Sequence, residues 1–127
     1  MTLTTKPLEV QTFPVSAWVW ILRLKGCVDA SNVALLQAAT KSLFERGISR
    51  IAVDLSDVEF MSSTAYGCLI GAHDDAERNG GRLIFCGASL AVREVFRLLG
   101  LCDVLHLTED LAVALRRLER RETPPAE

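Results

Sequence analysis

The stretch IAVDLSDVEFMSSTAYGCLIGA, Ile51 to Ala72, decides the fold. An apolar, β-branched run comes first, and its short opening RIAVDLS reads as a buried central strand. The run stops at three adjacent hydroxyl residues, Ser62, Ser63 and Thr64. TAYGCLIGAHDDAERNGG then has helical spacing. Ala65, Leu69, Ala72 and Ala76 form an apolar stripe, and His73, Asp74, Asp75, Glu77 and Arg78 form the wet side. A helix is predicted from Thr64 to Asn79, ended by Gly80 and Gly81.

The flanking sequence repeats this alternation. VQTFPVSAW and WVWILRLKG read as a β-hairpin, and Pro14 puts the first strand on a sheet edge. In GCVDASNVALLQAATKSLFERG, Asp29, Ser31 and Asn32 are N-cap candidates. Val33, Leu36, Thr40, Leu43 and Phe44 share one helical face, and Gly47 ends the helix. RLIFCG is another buried strand. Ser89 caps LAVREVFRLLG, whose Val92, Val95, Phe96 and Leu99 form a stripe ended by Gly100. LCDVLHLT is predicted as a last strand, and Glu109 and Asp110 open a final helix whose arginines complement its dipole. The expected fold is α/β, a mixed and mainly parallel sheet with an N-terminal hairpin, covered by about four helices. Residues 8–121 form one domain; residues 1–7 and 122–127 are expected to be flexible termini.

Composition limits the function. The chain has 127 residues, 50% of them hydrophobic and 24% charged, which suits one globular domain. A net charge of −2 supplies no field for nucleic acid. No apolar run approaches the roughly 20 residues of a membrane span, and the N-terminal MTLTTKPLEV lacks signal-peptide character, so a cytoplasmic location is expected. Cys27, Cys68, Cys86 and Cys102 include no C-x-x-C pair and sit among apolar residues, as structural thiols do. His73 and His106 are far in sequence from any cysteine, so no metal site is expected, and no cofactor motif occurs.

The hydroxyl cluster admits four readings. A serine nucleophile needs a base, but His73 lies at least ~14 Å along the helix from Ser63, and no G-x-S-x-G elbow is present. A phosphate loop lacks its G-x-x-x-x-G-K-[ST] pattern. An N-cap explains one hydroxyl of the three. A site of phosphate attachment is the fourth reading. Gly67 and Gly71 each cost roughly 1 kcal/mol in a helix interior. Close packing on the sheet would justify either of them, and a smooth docking face would justify both.

AVDLSDVEFMSSTAYGCLIGA resembles the signature of the STAS domain family, D-L-S-x-V-x-F-[IM]-D-S-[ST]-G-L-x-x-L. Asp54, Leu55, Ser56, Val58, Phe60, Met61, Ser63, Thr64 and Leu69 match it. LKGCVDASNVALLQAA and GASLAVREVFRLLGLCDVLHLTEDLAVAL resemble the family's earlier and later segments, so the likeness covers most of the chain. Three positions depart from the pattern: Ser62 replaces the usual acid, Ala65 the usual glycine and Tyr66 the usual leucine. The resemblance implies a non-enzymatic anti-sigma factor antagonist. Its partner would be an anti-sigma factor that is also an ATP-dependent serine kinase. Ser63 would be the phosphoacceptor, with Thr64 as the second choice. Asp29, Ser62, Ser63, Thr64, Tyr66, Gly67 and Gly71 would meet the partner. The alternative is a constitutive scaffold subunit of a stress-signalling or lipid-transport complex.

Overall fold

The computed structural model describes residues 6–120. The hairpin is β1 (Glu9–Pro14) and β2 (Val19–Val28), antiparallel, with β1 at the sheet edge as Pro14 requires. There follow α1 (Val33–Glu45), β3 (Arg50–Met61), α2 (Ser63–Arg78), β4 (Arg82–Cys86), α3 (Leu90–Leu98), α4 (Leu101–Val104), β5 (Leu107–Thr108) and α5 (Leu111–Glu119). The sheet order is β1-β2-β3-β4-β5, and every pair after the hairpin is parallel. Because the order never reverses, crossovers of one hand place their connecting helices on one face.

Alternation along β3 divides the core. Ile51, Val53 and Leu55 join Leu36, Leu43, Leu69 and Phe96 beneath the crossover helices. Ala52 joins Val19, Ile84 and Cys86 beneath Ala114 and Leu118 of α5 on the opposite face. Cys86 is buried, and burial, reinforced by the nearby Asp54 and Asp110 carboxylates, pushes its thiol up to about 12. All four cysteines are free thiols.

Asp54 is the exception on the α5 face, a buried carboxylate in the central strand. Its Oδ2 accepts from Arg23 Nε at 3.0 Å, and its Oδ1 accepts from the Ser56 backbone N–H at 3.0 Å. The Arg23 guanidinium also lies 5.2 Å from the Phe13 ring centroid, so the pair ties β1, β2 and β3 together.

Several expectations need correction. β3 runs on to Met61, well past the predicted RIAVDLS. Its pairing with β2 shifts register twice, between Arg23 and Lys25 and between Gly26 and Cys27, so the buried Leu55, Val58 and Met61 fall three apart rather than two. Gly26 has φ +97°, and a Cβ there would collide with the Pro7 carbonyl. LCDVLHLT is not one strand. Leu101–Val104 forms a one-turn helix and, of this stretch, only Leu107–Thr108 pairs with β4, so the described residues hold five helices. Leu99 caps α3 and is exposed instead of joining its stripe. His73, assigned to the wet side, is 5% exposed. Lys6 and Pro7 fall in the stretch expected to be a loose terminus. In the fold, the Lys6 carbonyl accepts from Cys27 N–H at 3.3 Å, and its ammonium lies 2.9 Å from Glu59. The remaining terminal expectations, and Arg121, lie outside the described residues.

Replacing Asp54 with Ala leaves Arg23 without its carboxylate and Ser56 N–H without its acceptor. Arg23 keeps some access to water, so the expected loss is about 2–3 kcal/mol, below the full cost of orphaning a buried charge. Urea unfolding against wild type measures it, and an unchanged midpoint would contradict this role for the pair.

Candidate partner-docking and modification site

The carboxyl ends of β2, β3 and β4 converge on one edge of the domain, where α2 and α3 begin. Here β3 hands over to α2 through a single residue, Ser62. Its backbone N–H donates to the Val28 carbonyl at 2.9 Å, which fastens the junction to the end of β2. Its extended backbone (φ −80°, ψ 170°) turns the chain into the helix, and its hydroxyl accepts from Ala65 N–H at 3.4 Å. Ser62 is therefore the N-cap. The acid usual in the family signature is an equally good capping residue, so the departure keeps the cap and removes the charge.

Ser63 and Thr64 are the first two residues of α2. Both are exposed, and neither side chain has a bonding partner among the described residues. Their hydroxyls stand at the dipole-positive end of a 16-residue helix. His73 cannot serve them as a base, being about 15 Å further along α2 by helix rise.

Asp29 follows Val28 directly and so lies beside this junction. Its Oδ1 accepts from Ser31 N–H at 2.9 Å, and its own N–H donates to Asn32 Oδ1 at 2.9 Å. This local turn opens α1. Asn32 is the N-cap position but makes no side-chain cap bond; its amide donates instead to the Cys27 carbonyl at 2.9 Å.

Gly67 and Gly71 face outward over a shallow groove of about 340 Å³ between α1 and α2, lined also by Gln37, Thr40, Phe44 and Asp75. A Cβ added at either glycine meets nothing within 4 Å, so close packing on the sheet does not explain them. Tyr66 does not belong to this surface. It is 4% exposed, its ring packs edge-on against Phe96 at 5.6 Å, and burial pushes its hydroxyl above the usual range. Its place is the joint between α2 and α3.

The structure also brings together three residues that the sequence reading left apart. His73 and Glu77 on α2 meet His106 from the α4–β5 turn, with one ligand atom from each within 4.8 Å of the others. The signal available in sequence was the i, i+4 spacing of His73 and Glu77. Burial holds the His106 imidazole below its ordinary range, with Arg82, His73 and Arg117 adding to the effect.

If Ser62 is the cap, Ser62→Ala should cost about 1 kcal/mol and Ser62→Asp should match or exceed wild type. Thermal melting of the two variants checks this; equal loss in both would show that the hydroxyl is not acting as a cap.

Residues 12–114 match the family model of the STAS domain. The chain is 27% identical over 92 residues to an anti-sigma-B factor antagonist of Staphylococcus aureus (strain NCTC 8325 / PS 47), covering 72% of this chain and 85% of that protein. Its fold is similar to the anti-sigma factor antagonist SpoIIAA in the unphosphorylated form, with TM-score 0.76 and 25% identity, covering 87% of this chain and 96% of that one. The phosphorylated form of SpoIIAA, a Bacillus cell fate determinant, matches with TM-score 0.70 and 24% identity over 86% of this chain and 98% of that one. Among the described residues, no helix is long and apolar enough to cross a membrane. With a match over most of its length and a mixed five-stranded sheet of the same fold, the chain belongs to the STAS domain family.

Proposed function

We propose that this chain is an anti-sigma factor antagonist whose affinity for its partner is switched by phosphorylation of Ser63. The partner in this reading is an anti-sigma factor that is also an ATP-dependent serine kinase. It binds the unphosphorylated domain, releases its sigma factor, and later transfers phosphate to Ser63 and lets go.

One observation carries the reading. Ser63 presents an unengaged hydroxyl at the first position of α2 while Ser62 alone caps the helix. A phosphate adds about −1.5 to −2 charges at neutral pH. At a helix N-terminus the free N–H groups and the dipole favour an anion, so the domain's own fold accommodates it. A partner seated over Ser63 cannot do the same without solvating or pairing the new charge. The absence of a carboxylate at Ser62 lowers the repulsion a phosphate on Ser63 would meet. Support also comes from the relatives named as antagonists and from SpoIIAA, which has a phosphorylated form. The docking face in this reading comprises Asp29, Ser62, Ser63, Thr64 and the Gly67–Gly71 groove, and cytoplasmic action follows from such a partner.

The test compares Ser63→Ala, Ser63→Asp and Gly71→Gln with wild type by calorimetric titration against the kinase-type anti-sigma factor of the same cell. Ser63→Ala should bind as wild type and accept no phosphate at that position. Ser63→Asp should shift stability by about 1 kcal/mol or less and weaken binding roughly 100-fold, or about 3 kcal/mol. Gly71→Gln, with open space for its side chain, should fold normally and weaken binding by filling the groove. Full affinity in Ser63→Asp would remove the switch and leave a constitutive scaffold.

A further inference from the structure

The cluster of His73, Glu77 and His106 lies well away from the phosphoacceptor end of α2, and docking at Ser63 makes no use of it. Its members come from two elements that are distant in sequence, α2 and the turn between α4 and β5. His73 is buried, and its Nδ1 has no hydrogen-bond partner. Its Nε2 faces Glu77 Oε2 at 3.4 Å, which is long for a hydrogen bond. A tetrahedral zinc ion with bonds of about 2.0–2.2 Å sets its ligands roughly 3.3–3.6 Å apart. The His73–Glu77 separation already equals one edge of such a tetrahedron.

His106 supplies the third corner. It is the only non-glycine among the described residues with positive φ, at +51°, and its ring centroid lies 5.5 Å from that of His73. The left-handed backbone turns the chain from α4 into β5 and brings the imidazole against α2. All three ligand atoms lie within 4.8 Å of one another, so a shift of about 1.5 Å at the two partly exposed side chains closes the set.

We propose that His73, Glu77 and His106 form a binding site for a divalent transition-metal ion of the zinc type, with three protein ligands and one position open to solvent. Two imidazoles and one carboxylate favour zinc, cobalt, nickel or copper over calcium or magnesium, which take oxygen ligands. Arg82 and Arg117 act electrostatically on His106 and oppose an added cation, whereas the Glu77 carboxylate favours one. The ion would staple the second half of α2 to the α4–β5 turn, adding to the hold of the buried Leu105 and the two-residue strand β5.

Zinc chloride is titrated calorimetrically into the tag-free full chain at neutral pH, alongside Glu77→Gln and His106→Asn. Asparagine tolerates the left-handed backbone, and Glu77 is half-exposed, so each variant should fold; far-ultraviolet circular dichroism without metal checks this. One zinc per wild-type chain is expected, weakened at least 10-fold in each variant, with zinc raising the melting temperature of wild type only. If one variant does not fold, the other decides. No zinc binding by wild type, or equal binding by a folded variant, overturns the proposal.

Discussion

Everything at the proposed docking edge depends on how one residue ends a strand and starts a helix. Ser62 is held from both sides, through its backbone N–H by the Val28 carbonyl and through its hydroxyl by Ala65 N–H. The first bond registers β3 against β2, and the second starts α2 directly after Ser62. With Ser62 alone between strand and helix, Ser63 and Thr64 stand exposed at the positive end of the helix dipole. The same junction sets Asp29 beside them, because Val28 pairs with Met61 at the end of the parallel ladder.

The helix that begins there has to satisfy two demands along its length. Ala65, Tyr66, Leu69, Ala72, His73 and Ala76 face the core and hold α2 on the sheet. Gly67 and Gly71 on the outer side weaken its intrinsic helicity, and they keep the groove toward α1 open. Burial of the inner face makes this loss tolerable, since packing supplies most of a protein helix's stability. A surface that stays smooth at such a cost has the character of a docking face.

Much of the fold was legible because local signals agreed with one another. Ser89 and Asp110 cap α3 and α5 through their own side chains, as their positions before apolar runs suggested. Pro14 marked the sheet edge, and alternation in Ile51–Leu55 marked the centre. The signal failed where a pattern was broken or short. The two register shifts scramble the period-two rule in the second half of β3, which hid its true length. Eight residues from Leu101 hold both a helical turn and a short strand, too brief for periodicity to separate them. His73 and Tyr66 lie on the same helical stripe as Leu69 and Ala76, but residue type suggested water for the first and the family resemblance suggested a partner for the second. The histidine cluster required a contact between α2 and His106 that no local spacing encodes.

In the proposed switch, Ser63 is the residue that carries the phosphate. Phosphopeptide mass spectrometry of the chain purified from its native cell, covering residues 62–78, tests this most directly. A phosphate on Ser63, with Ser62 unmodified because its hydroxyl is committed to the cap, is the predicted result. A chain phosphorylated on Ser62, or carrying no phosphate on Ser63 while its kinase-type partner is active, would contradict it.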